Sequence, residues 1–309
     1  MPPVPTRALL LAVLLLFTAA APAQAQDRPG DRRIIDVHLH ALPVDFFPPE
    51  TDTAAGYERP ASNQALMRQT IDQLERFGIE KAITSGDREL LETYKQAAPS
   101  RVIRSLWIPW DIQGDSLRTY LDSLPRWHEQ GRFQVIGEVL TQYSGIAPND
   151  SILEPLWSFA EREGVPVGIH INDTPNTCPD SFSEGCTPLA LKEVLDEHPD
   201  LKVYVMHGGF PHKEDMIALL SSYPQVYVGA TFSPPQSEEF RRYLKGLVEA
   251  GFTDRIMFGS DQMVWPQFIS DFVRAIENAD YLSEEQKQAI FHENAARFFG
   301  LESEGRGDS

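Results

Sequence analysis

RIIDVHLH, from Arg33 to His40, decides the reading of this chain. Its apolar, β-branched residues predict a strand, and the two histidines that close it stand two positions apart, so both point to one face. Runs of the same kind recur at KAITSG (Lys81–Gly86), RVIRSLWIP (Arg101–Pro109), QVIGEVL (Gln134–Leu140) and PVGIHI (Pro166–Ile171). KVYVMHG (Lys202–Gly208), VYVGAT (Val226–Thr231) and RIMFGSD (Arg255–Asp261) complete the set. Helically spaced stretches rich in Glu, Leu, Ala, Arg and Lys lie between them. Apolar strands buried on both faces require a parallel sheet covered by helices. The expectation is an α/β fold, a single (β/α)8 TIM-type barrel. An open doubly wound sheet is the alternative, but no Gly-rich phosphate loop follows any strand.

The polar residues that interrupt these strands sit near their ends: His38, His40, Glu138, His170, His207 and Asp261. In a β/α barrel the carboxyl ends of the strands form one rim, where active sites are built. A lone histidine in an apolar strand is more often a hydrogen-bonded core residue than a ligand. Here four of the eight histidines fall on strand ends, whereas His128, His198 and His292 fall on helices or their ends and His212 in a loop. A divalent cation accounts for imidazoles and carboxylates that would otherwise be costly in a barrel mouth.

The chain has 309 residues, with 45 acidic against 27 basic side chains and a net charge of −18. Basic residues scattered among acids exclude a nucleic-acid partner and disfavour an anionic membrane surface. Residues 1–26 read as a cleaved export signal: Arg7, the apolar run ALLLAVLLLFTAAA, then the small-residue site Ala23-Gln24-Ala25. That run is about 14 residues, shorter than the roughly 20 needed to span a bilayer. A periplasmic or extracellular location follows, and with it a compartment that permits disulfides. Residues 27–301 are read as the barrel, ending in helices over Gln267–Asn278 and Glu284–Phe299, with 302–309 as a polar tail.

The ordered set IDVHLH, GE on the fourth strand, GIHI on the fifth, MHGG on the sixth and FGSD on the eighth resembles the metal-dependent amidohydrolase superfamily. The branch it resembles most is the amidohydrolase-related group that includes aminocarboxymuconate semialdehyde decarboxylase. The closing segment FHENAARFFGL (Phe291–Leu301) resembles the end of that group. The resemblance implies that His38, His40 and Asp261 bind one metal ion, most simply Zn²⁺, with Mn²⁺ as the alternative. In a version with one ion, His170 completes the shell, His207 polarises the reacting carbonyl and Glu138 stands behind them. With two ions, Glu138 would bridge, and His170 and His207 would hold the second. One ion is favoured and two stay open.

Such an ion lowers the pKa of its water from about 16 to about 7 and polarises a carbonyl. The implied activity is hydrolysis of an amide, ester or lactone by that activated water. Asp261 would shuttle its proton to the leaving group, and His207 would stabilise the oxyanion. Decarboxylation of an unsaturated acid is the second chemistry; it would want a cationic clamp, for which Arg104 and Arg59 are the candidates, although a surface ion pair is the favoured role of each. A non-catalytic metal-binding barrel is the third reading. The expected partner is a small-molecule substrate, with homo-oligomerisation open. Tyr57, Trp107, Trp110, Tyr143, Phe210, Phe232 and Trp265 are candidate pocket walls, and His212 a candidate at the mouth. Cys178 and Cys186, in the loop after the fifth strand, are expected to form a disulfide worth about 2.5 kcal/mol of loop closure.

Overall fold

Ile34–Ala41 is buried along its whole length and forms β1. It heads a sheet whose other strands are β2 (Ile79–Gly86), β3 (Val102–Ile108), β4 (Val135–Val139), β5 (Val167–Asn172), β6 (Val203–Phe210), β7 (Val226–Gly229) and β8 (Ile256–Met257). The computed structural model describes residues 32–49, 51–52, 56–174, 177–178 and 183–301. The export segment and the polar tail lie outside these residues. Each strand pairs in parallel with the next, in sequence order from β1 to β8.

The crossovers carry α1 (Asn63–Arg76), α2 (Arg88–Ala97), α3 (Gly114–Leu121), α4 (Leu124–Glu129), α5 (Glu154–Glu163), α6 (Lys192–Glu197), α7 (Lys213–Ser222) and α8 (Glu238–Glu249). After β8 come α9 (Gln267–Glu277), α10 (Glu284–Gln288) and α11 (Asn294–Phe299). Side-chain caps start several of them: Ser62 accepts from Ala65, Asp87 from Glu89 and Leu90, and Ser237 from Phe240. The expected barrel is therefore the observed one.

The last strand departs from expectation. RIMFGSD reads as a full strand, but its regular ladder ends at Met257. The expected single helix over Glu284–Phe299 explains this, because it widens into a π turn at Ala289–Glu293. The Ile290 carbonyl of that turn accepts the Phe258 N–H at 2.8 Å, so Phe258 cannot continue the pairing with β7. Beyond that point the chain runs beside β1 and closes the barrel. Val37 N–H donates to the Phe258 carbonyl at 3.0 Å, Asp261 N–H to His38 at 2.8 Å, and His40 N–H to Gln262 at 3.0 Å.

Inside the barrel, Ile35, Val37, Ile83, Ile103, Val135, Tyr204, Met206 and Met257 form an apolar plug beneath the rim. Tyr204 requires a glycine next door: a Cβ on Gly168 would lie 2.4 Å from its ring. A larger cluster packs the outer strand faces against the helices. With about 1.5–3 kcal/mol for each fully buried aliphatic side chain, this shell fixes the strand ends on which the polar residues stand.

Candidate metal centre

All six rim residues of the sequence analysis converge. On β1 the register shifts between Asp36 and Leu39, a bulge-like irregularity that re-aims the strand where its first histidine falls. His38 and His40 then bring their Nε2 atoms within 3.0 Å of each other. Asp261 Oδ1 lies 3.3 Å from both, and Glu138 Oε2 lies 3.5 and 3.4 Å from them. Ligands at about 2.1 Å from a tetrahedral ion stand about 3.4 Å from one another, so these spacings suit a common cation.

Glu138 serves a second set with its other oxygen. Oε1 lies 2.6 Å from His170 Nδ1 and 3.2 Å from His207 Nε2. His207 Nδ1 donates to the Thr231 carbonyl at 2.9 Å, which turns its other nitrogen inward. Hydroxyls do the same for the first pair: Ser85 Oγ lies 3.3 Å from His40 Nδ1, and Thr231 Oγ1 3.4 Å from His38 Nδ1. The Nε2 atom of His170 is buried and has no hydrogen-bond partner among the described residues.

The backbone is strained where the chemistry is placed. His207 and Asp261, neither of them glycine, have φ values of 59° and 48° in the left-handed region. Asp36 helps to hold that geometry. Its Oδ1 accepts from the N–H groups of His38 and Ser260, both at 3.0 Å, and its Oδ2 from Ser260 Oγ at 2.6 Å. It thus ties the turn before Asp261 to the strand that carries both histidines. Burial pushes its carboxyl up to about 6, against those hydrogen bonds.

Electrostatics fit a cation. Burial works against the charged form of Glu138, but the imidazoles of His38 and His170 hold its carboxyl well below the usual range. Asp261 is lowered in the same way, burial being outweighed by His38, His40 and His207. Burial lowers His170, helped by the charge of His207. Burial also opposes the charge on His207, yet the Glu138 hydrogen bond and the two carboxylates raise it to about 9. The two buried carboxylates thus favour a proton on His207, and a divalent ion takes the place of such a proton when it binds.

A cavity of about 420 Å³ opens on this cluster, lined by Glu138, His170, His207 and Asp261. Of the aromatics expected at the walls, Tyr57, Tyr143 and Phe232 line it, while Trp107, Trp110, Phe210 and Trp265 do not. Trp265 instead stacks on Phe47 with ring centroids 5.5 Å apart, and Phe210 packs on Tyr243. Neither proposed clamp reaches the pocket. Arg104 binds both oxygens of Glu92 at 2.7 and 2.8 Å, and Arg59 holds Asp52 and the carbonyls of Val44, Phe47 and Pro48. His212 pairs with Asp173 at 2.7 Å and joins the loops after β5 and β6.

The sequence reading missed Asp36, Ser85, Thr231 and Ser260, and the walls Met263, Phe268 and Phe272. A carboxylate inside an apolar strand was the available signal for Asp36; the hydroxyls carried none. The Cys178–Cys186 disulfide forms as expected, with S–S at 2.03 Å. It ties down the loop whose Thr177 lines the cavity.

Barrel and rim cluster define a class: β/α barrels that assemble histidines and carboxylates at the carboxyl ends of their strands. A family model described as amidohydrolase matches residues 35–301, and the chain belongs to that family of enzymes. An uncharacterised TIM-barrel protein of Bordetella bronchiseptica is 18% identical, with a TM-score of 0.68 over 87% of this chain and 98% of its own. A 4-oxalomesaconate hydratase of Rhodopseudomonas palustris is 16% identical, with a TM-score of 0.56 over 86% and 95%. A 5-carboxyvanillate decarboxylase of Novosphingobium aromaticivorans with bound manganese is 15% identical, with a TM-score of 0.59 over 88% and 98%. No functionally curated protein matches the sequence.

Proposed function

We propose that the chain is a cation-dependent hydrolase that splits an uncharged amide, ester or lactone outside the reducing cytoplasm. His38, His40 and Asp261 would hold the ion, with Glu138 Oε2 as a further donor. Glu138 and His207, together with His38, form an overlapping set that could take a second, with His170 bonded to Glu138 beside it. A zinc or manganese ion supplies Lewis acidity and brings the pKa of water from about 16 towards 7.

The protein's own groups do the rest. Asp261 has one oxygen between His38 and His40, while its Oδ2 lies 4.0 Å from His207 Nδ1. That free oxygen takes the proton from the attacking water and gives it to the leaving atom. His207, anchored by the Thr231 carbonyl, stabilises the charge that develops on the carbonyl oxygen. Phe232, Phe268 and Phe272 give the cavity an apolar wall.

One observation carries the choice of hydrolysis over decarboxylation. Among the described residues no Lys or Arg lines the pocket, so a carboxylic acid would find no ammonium or guanidinium clamp there. The internal stretches 50, 53–55, 175–176 and 179–182 contain neither residue type. Export is supported by the disulfide and by the signal-like residues 1–26; among the described residues no helix is long and apolar enough to cross a membrane. The test is a panel of neutral esters, amides and lactones beside unsaturated acids, with and without chelation and with Zn²⁺ or Mn²⁺ restored. Cation-dependent hydrolysis is expected. Release of carbon dioxide without hydrolysis, or full activity after chelation, contradicts the reading.

A further inference from the structure

The pocket continues into an aromatic surface that the hydrolytic reading leaves unused. Tyr143 lines the pocket, and its ring centroid lies 4.9 Å from that of His170. Trp110 stands 6.1 Å beyond Tyr143 and is backed by Trp107 at 5.6 Å and Phe46 at 5.8 Å. Trp110 is 37% and Tyr143 36% exposed, and among the described residues only Leu189 matches them as a large exposed apolar side chain. Two part-exposed aromatic rings, tilted 45° to one another beside a buried imidazole, form an angled, polarisable apolar wall against which a ring can pack.

These residues follow β3 and β4. Phe232 follows β7, and Met263 and Phe268 follow β8, four strands further round the barrel. Apolar walls therefore face each other across the rim cluster. No Lys or Arg lines the pocket between them among the described residues, and a net charge of −18 repels anions at long range. Asp261 follows β8, so the atom that it protonates lies on that side.

We propose that the substrate is an uncharged ester or amide with two apolar arms, its acyl arm packed in the angle between Tyr143 and Trp110 and its leaving arm between Phe232, Met263 and Phe268. This rests on the hydrolytic reading. The experiment uses the zinc-loaded full chain with benzyl phenylacetate, benzyl acetate and benzyl hydrogen succinate. The phenylacetate is hydrolysed fastest and the anionic succinate slowest. Trp110→Ala lowers the phenylacetate-to-acetate ratio of kcat/KM about tenfold, and Trp110→Phe, which keeps a flat ring, restores most of it.

Calorimetry with phenylacetamide and acetamide gives a readout besides turnover: the aryl amide binds more tightly, and Trp110→Ala removes the advantage. An unchanged ratio in Trp110→Ala, or preference for the succinate, overturns the proposal while hydrolysis stands. If no ester is cleaved but phenylacetamide binds through Trp110, the hydrolytic reading fails and the aromatic wall survives as a binding surface.

Discussion

Among the described residues, histidine and carboxylate cluster at the rim of this barrel and again on its outer face, and the two clusters differ in what they lack. On the outer face, His198 has both ring nitrogens engaged, Nδ1 with Glu161 at 2.9 Å and Nε2 with Glu154 at 3.2 Å. Burial opposes its charge, but those two carboxylates raise its pKa and so favour the imidazolium, whose two N–H groups both have an acceptor. At the rim, His38 and His40 turn Nε2 towards Nε2, and two carboxylate oxygens crowd the same point. The outer cluster is complete with a proton. The rim cluster converges lone pairs on a space that a cation fits. Residue type is the same in both; direction separates a structural ion pair from a metal centre.

The sharpest way to break this comparison is Asp261→Asn, which keeps the shape but removes the proton acceptor. We expect kcat to fall about 10³-fold, within the range for loss of a general acid–base group, with little change in KM. Next, chelation should lower the melting temperature, and cation at 100 times its dissociation constant should restore about 2.7 kcal/mol. His38→Ala should erase that response, whereas His198→Asn should leave it intact.

Asp36→Asn probes the link between the two strands that carry the ligands. Affinity for the ion or turnover should drop about 10- to 100-fold, as for other groups that orient metal ligands, with the melting temperature measured alongside.

The smallest effect belongs to the outer cluster. His198→Asn should cost about 1 kcal/mol, the scale of a partly exposed ion pair, and leave turnover unchanged. The sign of its pH dependence follows from the raised pKa. The stabilisation is full below the unfolded value near 6.5 and fades as pH rises through the higher folded value. Urea melts of the two proteins should therefore converge at alkaline pH.

Much of the rim was legible in the sequence because a polar side chain inside an apolar strand is expensive and so needs a reason. His38, His40, Glu138, His170, His207 and Asp261 all stood out on that ground. Strand parity gives Arg104 the surface ion pair expected of it. Ser105, the next residue, is buried and donates to the Gly137 carbonyl at 2.5 Å, while Arg104 points outward to Glu92 on α2. The early end of β8 depends on a carbonyl freed by a π turn about 30 residues later, which local pattern does not encode. Met263 reaches the pocket from the loop after β8, whose course no periodicity predicts, and Phe268 and Phe272 from one face of α9, a helix legible in the sequence whose placement over the rim was not.

Anomalous diffraction from crystals grown with Mn²⁺ tests the central claim most directly. The account predicts a peak about 2.1 Å from His38 Nε2, His40 Nε2 and an oxygen of Asp261, and none beside His198. A rim without a peak, or an ion bound at His198 instead, would contradict it.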